Sequence, residues 1–366
     1  MSLVIYAVGD LLLADTPLCY GHGVGSRIKK NGPSYPFEQV QQIFRDGDIV
    51  LGNLEAPMSP TSDCDWIWKD FFRADPSVAY ALKESGFTVV SVANNHNLDH
   101  GVQAFNDTID LLVRSGIHPV GHRKEGEVIQ VGGNRIGILA RTLVPDLHGT
   151  EDLPAEEIES DLGVQVRALR NTSDLVIVYL HWGEEYVPCP SPKQVRIGRF
   201  LVDSGADIVI GSHPHILQGY EIYKDKPVFY SLGNFITDGF QEVTRRSCLV
   251  RIETQEPRPS FTISLIPVTI DPTQYRPVVS TGQEKEEILA HFQHVRTCLE
   301  NRSLEEYSAR IGPYPHLIKT NAGPALTQMK IYFIRNLYRY PPRFILESVW
   351  HFIKKIHKKY FSSENV

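Results

Sequence analysis

The stretch "IVIGSHPHILQGYE" (208–221) decides how this chain is read. It opens as an unbroken apolar run, breaks at Gly211, and then presents His213 and His215 with one proline between them. Continuous rather than alternating hydrophobicity marks a strand covered on both faces, the habit of parallel sheets. In open α/β sheets, ligands gather beyond the carboxyl ends of such strands. The proline is expected to keep the two histidines extended. The question is whether other strands of the chain end in the same way.

Four more do. "LVIYAVG" (3–9) runs into Asp10, and "DIVLGN" (48–53) into Glu55. "TVVSVAN" (88–94) runs into Asn95, His96 and Asp99, and "DLVIVYL" (174–180) into His181. Between several of these runs lie helical patterns closed by glycine, at 76–86, 102–116 and 191–205. In the second of these, Ala104, Phe105, Ile109, Leu112 and Val113 form one apolar face. Strands alternating with such helices describe an α/β architecture. Beyond residue 217 the texture changes. Two strand-like segments flank the turn at Lys224–Pro227, and a second pair lies at 247–255 and 260–270. These read as antiparallel strands closing a mixed sheet, with helical sequence from about residue 282.

Each strand-end residue has an ordinary explanation when taken singly. An aspartate after a strand caps a helix or shapes a turn, and a lone histidine is commonly a hydrogen-bonded surface residue. Five successive strand ends without a miss point instead to one shared site. Carboxylate, amide and imidazole donors without a thiolate suit Mn²⁺, Fe or Zn²⁺. The histidines argue against an all-oxygen Mg²⁺ or Ca²⁺ site. Asp10, Glu55, Asn95, His181, His213 and His215 exceed the needs of one tetrahedral ion. They suggest one or two divalent ions, a pair being bridged by a carboxylate. An unligated imidazole nearby would serve as a proton donor.

The motifs "AVGDLLLA", "GNLEAP", "FRADP", "ALKESGFTVVSVANNHNLDHG", "YLHWGEEY" and "GSHPHILQGYEIYKDKPVFYSLGNF" occur in this order over roughly residues 3–270. On them the chain resembles the bacterial capsule synthesis (CapA, poly-γ-glutamate synthesis) family within the calcineurin-like metallophosphatase superfamily. The resemblance implies a four-layer α/β/β/α sandwich with mixed sheets, plus a helical C-terminal extension. It implies a metal-dependent hydrolase acting on an anionic small-molecule or polymer substrate. Within the site it makes Asn95 a ligand, His96 the proton donor and Asp99 the residue that orients His96. Two positions depart from the superfamily pattern. Leu12 stands where a histidine is expected, and "GNLE" offers Asn53 where the bridging aspartate would be. Glu55 is the better bridge, because a carboxylate joins two cations better than a neutral amide. One ion would then lack a ligand, unless Glu184 or Glu185 supplies it. The alternative function is a metal-binding but non-catalytic component of a polymer synthesis or export assembly.

Four other residues carry two readings each. Trp182 and Tyr186 line a pocket or cap the sheet, Arg73 meets an anionic group or ties down its loop, and Asn234 supports the site or makes a turn.

The remaining sequence sets bounds. With 42% hydrophobic and 22% charged residues, this is a globular composition. No run of about 18 apolar residues suggests a membrane span. The opening "MSLVIYAVGD" reads as a core strand rather than a signal peptide. Five scattered cysteines, never in a C-x-x-C pair, fit reduced thiols and a cytoplasmic location. The organisation expected is a domain over 1–275, a packed extension over 276–325 and a basic tail over 326–366. Residues 327–361 hold eight Lys/Arg and one acid, Glu347, in a chain of net charge −6. Within 343–361, Ile345, Val349, Phe352, Ile353, Ile356 and Tyr360 fall at helical spacing opposite lysines. Such a helix lies on an anionic membrane surface or docks on its own domain. The acidic body and the lack of a binding motif argue against nucleic acid. The sequence sets no oligomeric state.

Overall fold

The computed structural model describes residues 2–145, 155–255, 260–322 and 325–348. In chain order it begins with β1 (Val4–Leu11), α1 (Val24–Asn31), β2 (Ile49–Leu54), α2 (Val78–Glu84), β3 (Val89–Ser91), α3 (Gly101–Arg114) and β4 (His118–Val120). Next come β5 (Glu127–Val131), β6 (Asn134–Thr142), α4 (Ala155–Thr172), β7 (Leu175–His181), α5 (Pro192–Asp203), β8 (Ile208–Ser212), β9 (Leu217–Tyr223) and β10 (Lys226–Leu232). The chain then forms β11 (Asn234–Ile236), β12 (Arg246–Gln255), β13 (Ser260–Ile270), β14 (Pro277–Val279), α6 (Gly282–Leu299), α7 (Leu304–Ile311), α8 (Tyr314–Ala322) and α9 (Ala325–Arg335).

The five apolar runs do not share one sheet. β1, β2 and β3 are parallel neighbours in an eight-stranded sheet ordered β14-β13-β12-β1-β2-β3-β4, with β11 pairing to the end of β1. β7 and β8 are parallel neighbours in a six-stranded sheet ordered β5-β6-β7-β8-β10-β9. Each sheet is closed by antiparallel strands: β12 and β13 in the first, and β9 beside β10 in the second.

Alternation along the strands builds the layers, since successive side chains point to opposite faces. Ile5 and Ala7 of β1, with Ile49 and Leu51 of β2, pack against Ile136, Ile138, Ile177, Tyr179, Ile208 and Ile210 of the second sheet. Their neighbours Tyr6, Val8 and Val50 turn outward onto Val24 and Ile28 of α1 and Val78 and Leu82 of α2. On the far side, Val176, Val178 and Val209 pack on Leu162 and Val166 of α4 and Val195 and Leu201 of α5. The result is helices, sheet, sheet, helices, which is the four-layer order the resemblance implies. Truncating a middle-layer residue such as Ile177 to alanine would cost about 2–5 kcal/mol.

The helical patterns at 76–86, 102–116 and 191–205 become α2, α3 and α5. Ser191 caps α5 in a reciprocal capping box with Gln194, and Pro192 takes the first turn. One expectation for α3 fails. Val113 is 59% exposed, and Thr108, not Val113, joins Ala104 and Leu112 in the buried stripe. Thr108 is admitted because its hydroxyl donates to the Ala104 carbonyl at 2.7 Å and accepts the Met58 N–H at 2.8 Å.

Two glycines let backbones crowd where the polar residues emerge. A Cβ on Gly9 would stand 1.8 Å from the Gly233 carbonyl oxygen, just after β10 of the second sheet, and one on Gly211 of β8 would stand 2.1 Å from that of Tyr230 on the neighbouring β10. Gly9 immediately precedes Asp10, and Gly211 stands two residues before His213. Close backbone approach, possible only without a side chain, therefore sets the position of each strand end. The Tyr179 hydroxyl, donating across the layer to the Val8 carbonyl at 2.8 Å, ties the two sheets there.

α6 covers the β9 edge, with Ile288 and Phe292 entering the middle layer. Farther on, Tyr340 and Phe344 are buried against Phe71, and the Tyr340 hydroxyl donates to the Leu18 carbonyl. The first part of the basic tail thus docks on the body, whereas residues 349–361 of the expected amphipathic helix lie outside the described residues. No described helix is long and apolar enough to cross a membrane.

Candidate metal centre

Asp10 sits at the end of β1 with no exposure. Its Oδ1 accepts the Asn53 amide at 2.7 Å, and its Oδ2 accepts the backbone N–H of His213 at 3.1 Å. Asn53 also donates toward His181 Nδ1 at 3.3 Å, and its own carbonyl accepts from Asn94 at 3.0 Å. Asn53 therefore orients the first aspartate and the buried histidine instead of bridging ions.

Glu55 is 2% exposed, and its Oε1 has no hydrogen-bond partner. That oxygen lies 3.8 Å from both His181 Nε2 and His215 Nε2. A buried carboxylate oxygen without a donor is costly to maintain. Burial and then the charge of Asp10 push the Glu55 carboxyl well above its usual range.

His181 is fully buried at the end of β7. Its Nδ1 lies 3.1 Å from Ser212 Oγ, and its Nε2 lies 2.8 Å from Asn95 Oδ1 and 3.1 Å from His213 Nδ1. Burial, then the neighbouring His213, hold His181 well below the usual imidazole range. Burial, then His215, hold His213 down at about 3. Neutral imidazoles keep the lone pair that a metal requires. His215 behaves oppositely. Burial works against its proton, yet the Glu55 and Asp10 carboxylates outweigh burial and push it up to about 10. Burial likewise opposes ionisation of Asp10, but the nearby His215 holds its carboxyl down at about 2. Asp10 and His215 thus favour each other's charged forms.

The "His-Pro-His" segment is not extended, contrary to the expectation from its proline. His213 has φ +96° and His215 has φ +59°. Left-handed backbone in non-glycine residues is strained and collects at functional sites. Here the sharp turns aim both rings inward, their centroids 5.7 Å apart. Asn234 accepts from His215 Nδ1 at 3.0 Å and donates to the His215 and Thr244 carbonyls, so it holds this turn.

His96 stands beside the cluster. Its Nδ1 lies 2.7 Å from Asp99 Oδ2, and its ring stacks on Phe72 at 4.3 Å and 4°. Asn95 Nδ2 lies 3.3 Å from His96 Nε2. His96 lines a cavity of about 390 Å³ together with Glu55, His215, Tyr186, Asp238 and Gln241. Tyr186 is therefore a cavity residue. Trp182 is core, stacked on Tyr230 and donating to its carbonyl at 2.9 Å. Arg73 donates to the Lys69 and Ser59 carbonyls, tying down its own loop.

Among the described residues, three groups of side chains place ligand atoms within 4.8 Å of one another: Glu55, His181 and His213; Asp10, Glu55 and His215; and Glu185, His213 and His215. The first two share only Glu55, whose carboxylate can bridge two cations. Together with the unpartnered Oε1, this donor set fits one or two divalent ions. Asn95 is oriented toward His181, next to the first group. All eight site residues expected from the sequence thus fall in one neighbourhood. Missed were the orienting role of Asn53, which the sequence suggests only as a bridge, together with Asn94 and Ser212, which also orient the ligands, and Asp238 and Gln241 on the cavity wall. Only the asparagine-rich strand ends of β2 and β3 carried a trace of the first two.

Residues 4–239 match the family model described as bacterial capsule synthesis protein PGA_cap. The chain is 30% identical over 302 residues to the capsule biosynthesis protein CapA of Bacillus anthracis, covering 76% of this chain and 70% of that one. It is 31% identical over 259 residues to the PGA biosynthesis protein CapA of Bacillus subtilis, covering 67% and 66%. A probable polyglutamine synthesis accessory protein of Mycobacterium tuberculosis is 29% identical over 212 residues, covering 52% and 56%.

Proposed function

The chain belongs to the bacterial capsule synthesis protein family, and from that premise we propose that it is a metal-dependent hydrolase of the phosphoesterase type, serving the synthesis of a capsule or poly-γ-glutamate polymer. The observation that carries this reading is the unpartnered Glu55 Oε1 at the junction of two ligand groups, beside the His96–Asp99 pair. Asp10, Glu55 and His215 would hold one ion, and Glu55, His181, His213 and Asn95 the other, with Mn²⁺, Fe or Zn²⁺ the metals their donors suit. Bound there, such ions polarise the bond under attack and make water a stronger nucleophile.

The chain's own groups do the rest. His96 gives its Nε2 proton to the leaving atom, while Asp99 holds Nδ1 and stabilises the imidazolium that carries the proton. Phe72 fixes the ring plane by stacking. Asn53 and Ser212 keep the Asp10 carboxyl and the His181 ring in place. Among the described residues lining the cavity there is no lysine or arginine. An anionic substrate group would therefore be met by the ions and the histidines and not by lysine or arginine.

One observation favours the non-catalytic alternative, a metal-binding part of a polymer assembly. Leu12 is sealed into an apolar wall with Ala14, Ala56 and Phe72, so one ion loses a ligand there. Turnover of a generic phosphodiester by metal-loaded protein separates the two. The hydrolase reading expects His96→Ala to lower the rate about 10²–10⁴-fold with metal content unchanged. Metal-loaded wild type that turns over neither a phosphodiester nor a γ-glutamyl peptide would leave the assembly role.

A further inference from the structure

With Leu12 in place of a donor, Asp10, Glu55 and His215 would give an ion three protein ligands, and a fourth would close a tetrahedral shell. The wall around Leu12 is apolar and offers no donor. The loop after β7 offers one from another direction.

We infer that Glu185 supplies the ligand that Leu12 withholds, an assignment that rests on the metal-binding reading above. Glu185 places a carboxylate oxygen within 4.8 Å of the ligand nitrogens of both His213 and His215. Glu185 shares His215 with the Asp10–Glu55 group and His213 with the Glu55–His181 group, so it stands between the two and within reach of an ion that Asp10, Glu55 and His215 would hold. Glu184, its neighbour in sequence, joins no such group among the described residues.

The loop is built to present this side chain. Tyr186 has φ +64°, a left-handed turn, and its N–H donates to the Pro214 carbonyl at 2.9 Å. That bond clamps the "HWGEEY" loop to the His213–His215 turn, so Glu185 moves with the two histidines it faces. Glu185 lines the cavity as Glu55 does, but unlike Asp10 and Glu55 it is exposed. A ligand on that side leaves its ion open to whatever enters. Three carboxylates, Asp10, Glu55 and Glu185, then face two divalent ions, one negative charge more than Asp10 and Glu55 alone provide.

The test is the stoichiometry and affinity of Mn²⁺ alone, read by equilibrium dialysis with metal analysis and by calorimetry on the full chain. Wild type and Glu184→Gln are expected to bind two ions. Glu185→Gln is expected to bind the second at least about tenfold more weakly, and Glu185→His, which keeps a donor at this exposed position, to retain it. Two ions bound by Glu185→Gln as tightly as by wild type would overturn the assignment. So would a single ion on wild type, although the metal-binding reading would survive that result. Wild type that binds no Mn²⁺ would remove both.

Discussion

The Asp10 carboxylate accepts the backbone N–H of His213 at 3.1 Å. It thereby joins the end of β1 in the first sheet to the strained turn after β8 in the second. The same carboxylate takes the Asn53 amide at 2.7 Å. Asp10 is thus a fastener between the sheets as well as a candidate ligand. Asp10→Ala leaves both donors buried without an acceptor. Because bonds to a charged group are involved, the expected loss is about 1.5–3 kcal/mol. Urea denaturation in chelator, where metal cannot contribute, measures it. An unchanged midpoint would mean that the sheets are held together without this contact.

A second carboxyl contributes to the pH dependence of the fold. Asp238 is 1% exposed, and its Oδ1 has no partner. Burial, then the charge of Asp15, push it up from 3.8 to about 7. For an acid whose folded value is raised, the folded state binds more protons between the two values. Its contribution is therefore complete below pH 4 and is lost as pH rises toward 7. Asp238→Asn removes the ionisation while keeping the shape. The variant should gain on wild type as pH rises from 4 to 7, by up to about 4 kcal/mol. Parallel pH series of urea midpoints read this difference, and two parallel curves would rule out Asp238 as the source.

How much of this was legible in the sequence follows from distance along the chain. β1, β2, β7 and β8 are covered on both faces, so their composition alone marks them, and the polar residue after each is local information. The partition of those strands between two sheets is not local. It depends on pairings such as Asp10 with Asn234 and on the close approach of Gly9 to Gly233. β6 (Asn134–Thr142) escaped notice because Gly137 and Arg141 interrupt its apolar run, although it pairs with β7 from Ile136 to Thr142. The left-handed turns at His213 and His215 run against what Pro214 suggests. They are imposed by Asp10 and Asn234, from β1 and β11. The strand-end residues were readable one by one, whereas the residues that aim them were not.

Glu55 offers the sharpest separation between a metal site and a merely polar cluster, because the two predict opposite signs. In metal-free protein the buried Glu55 Oε1 has no donor, and its raised carboxyl contributes stability only at low pH, which is lost as pH rises above the usual glutamate range near 4.5. Glu55→Gln removes that loss. At pH 7 in chelator the variant should be at least as stable as wild type. With metal the order should invert. A ligand at 100 times its Kd stabilises the folded state by about 2.7 kcal/mol, and wild type should show a rise of this kind on adding Mn²⁺ or Zn²⁺. The variant should lose most of it, since an amide bridges two cations poorly. Thermal melts of both proteins, with chelator and with saturating metal, give all four values in one experiment. Crossing curves mean that Glu55 is kept at a cost in the metal-free fold because an ion needs it. A variant that is less stable in chelator and equally stabilised by metal would make Glu55 a structural residue, and the bridging role would fall.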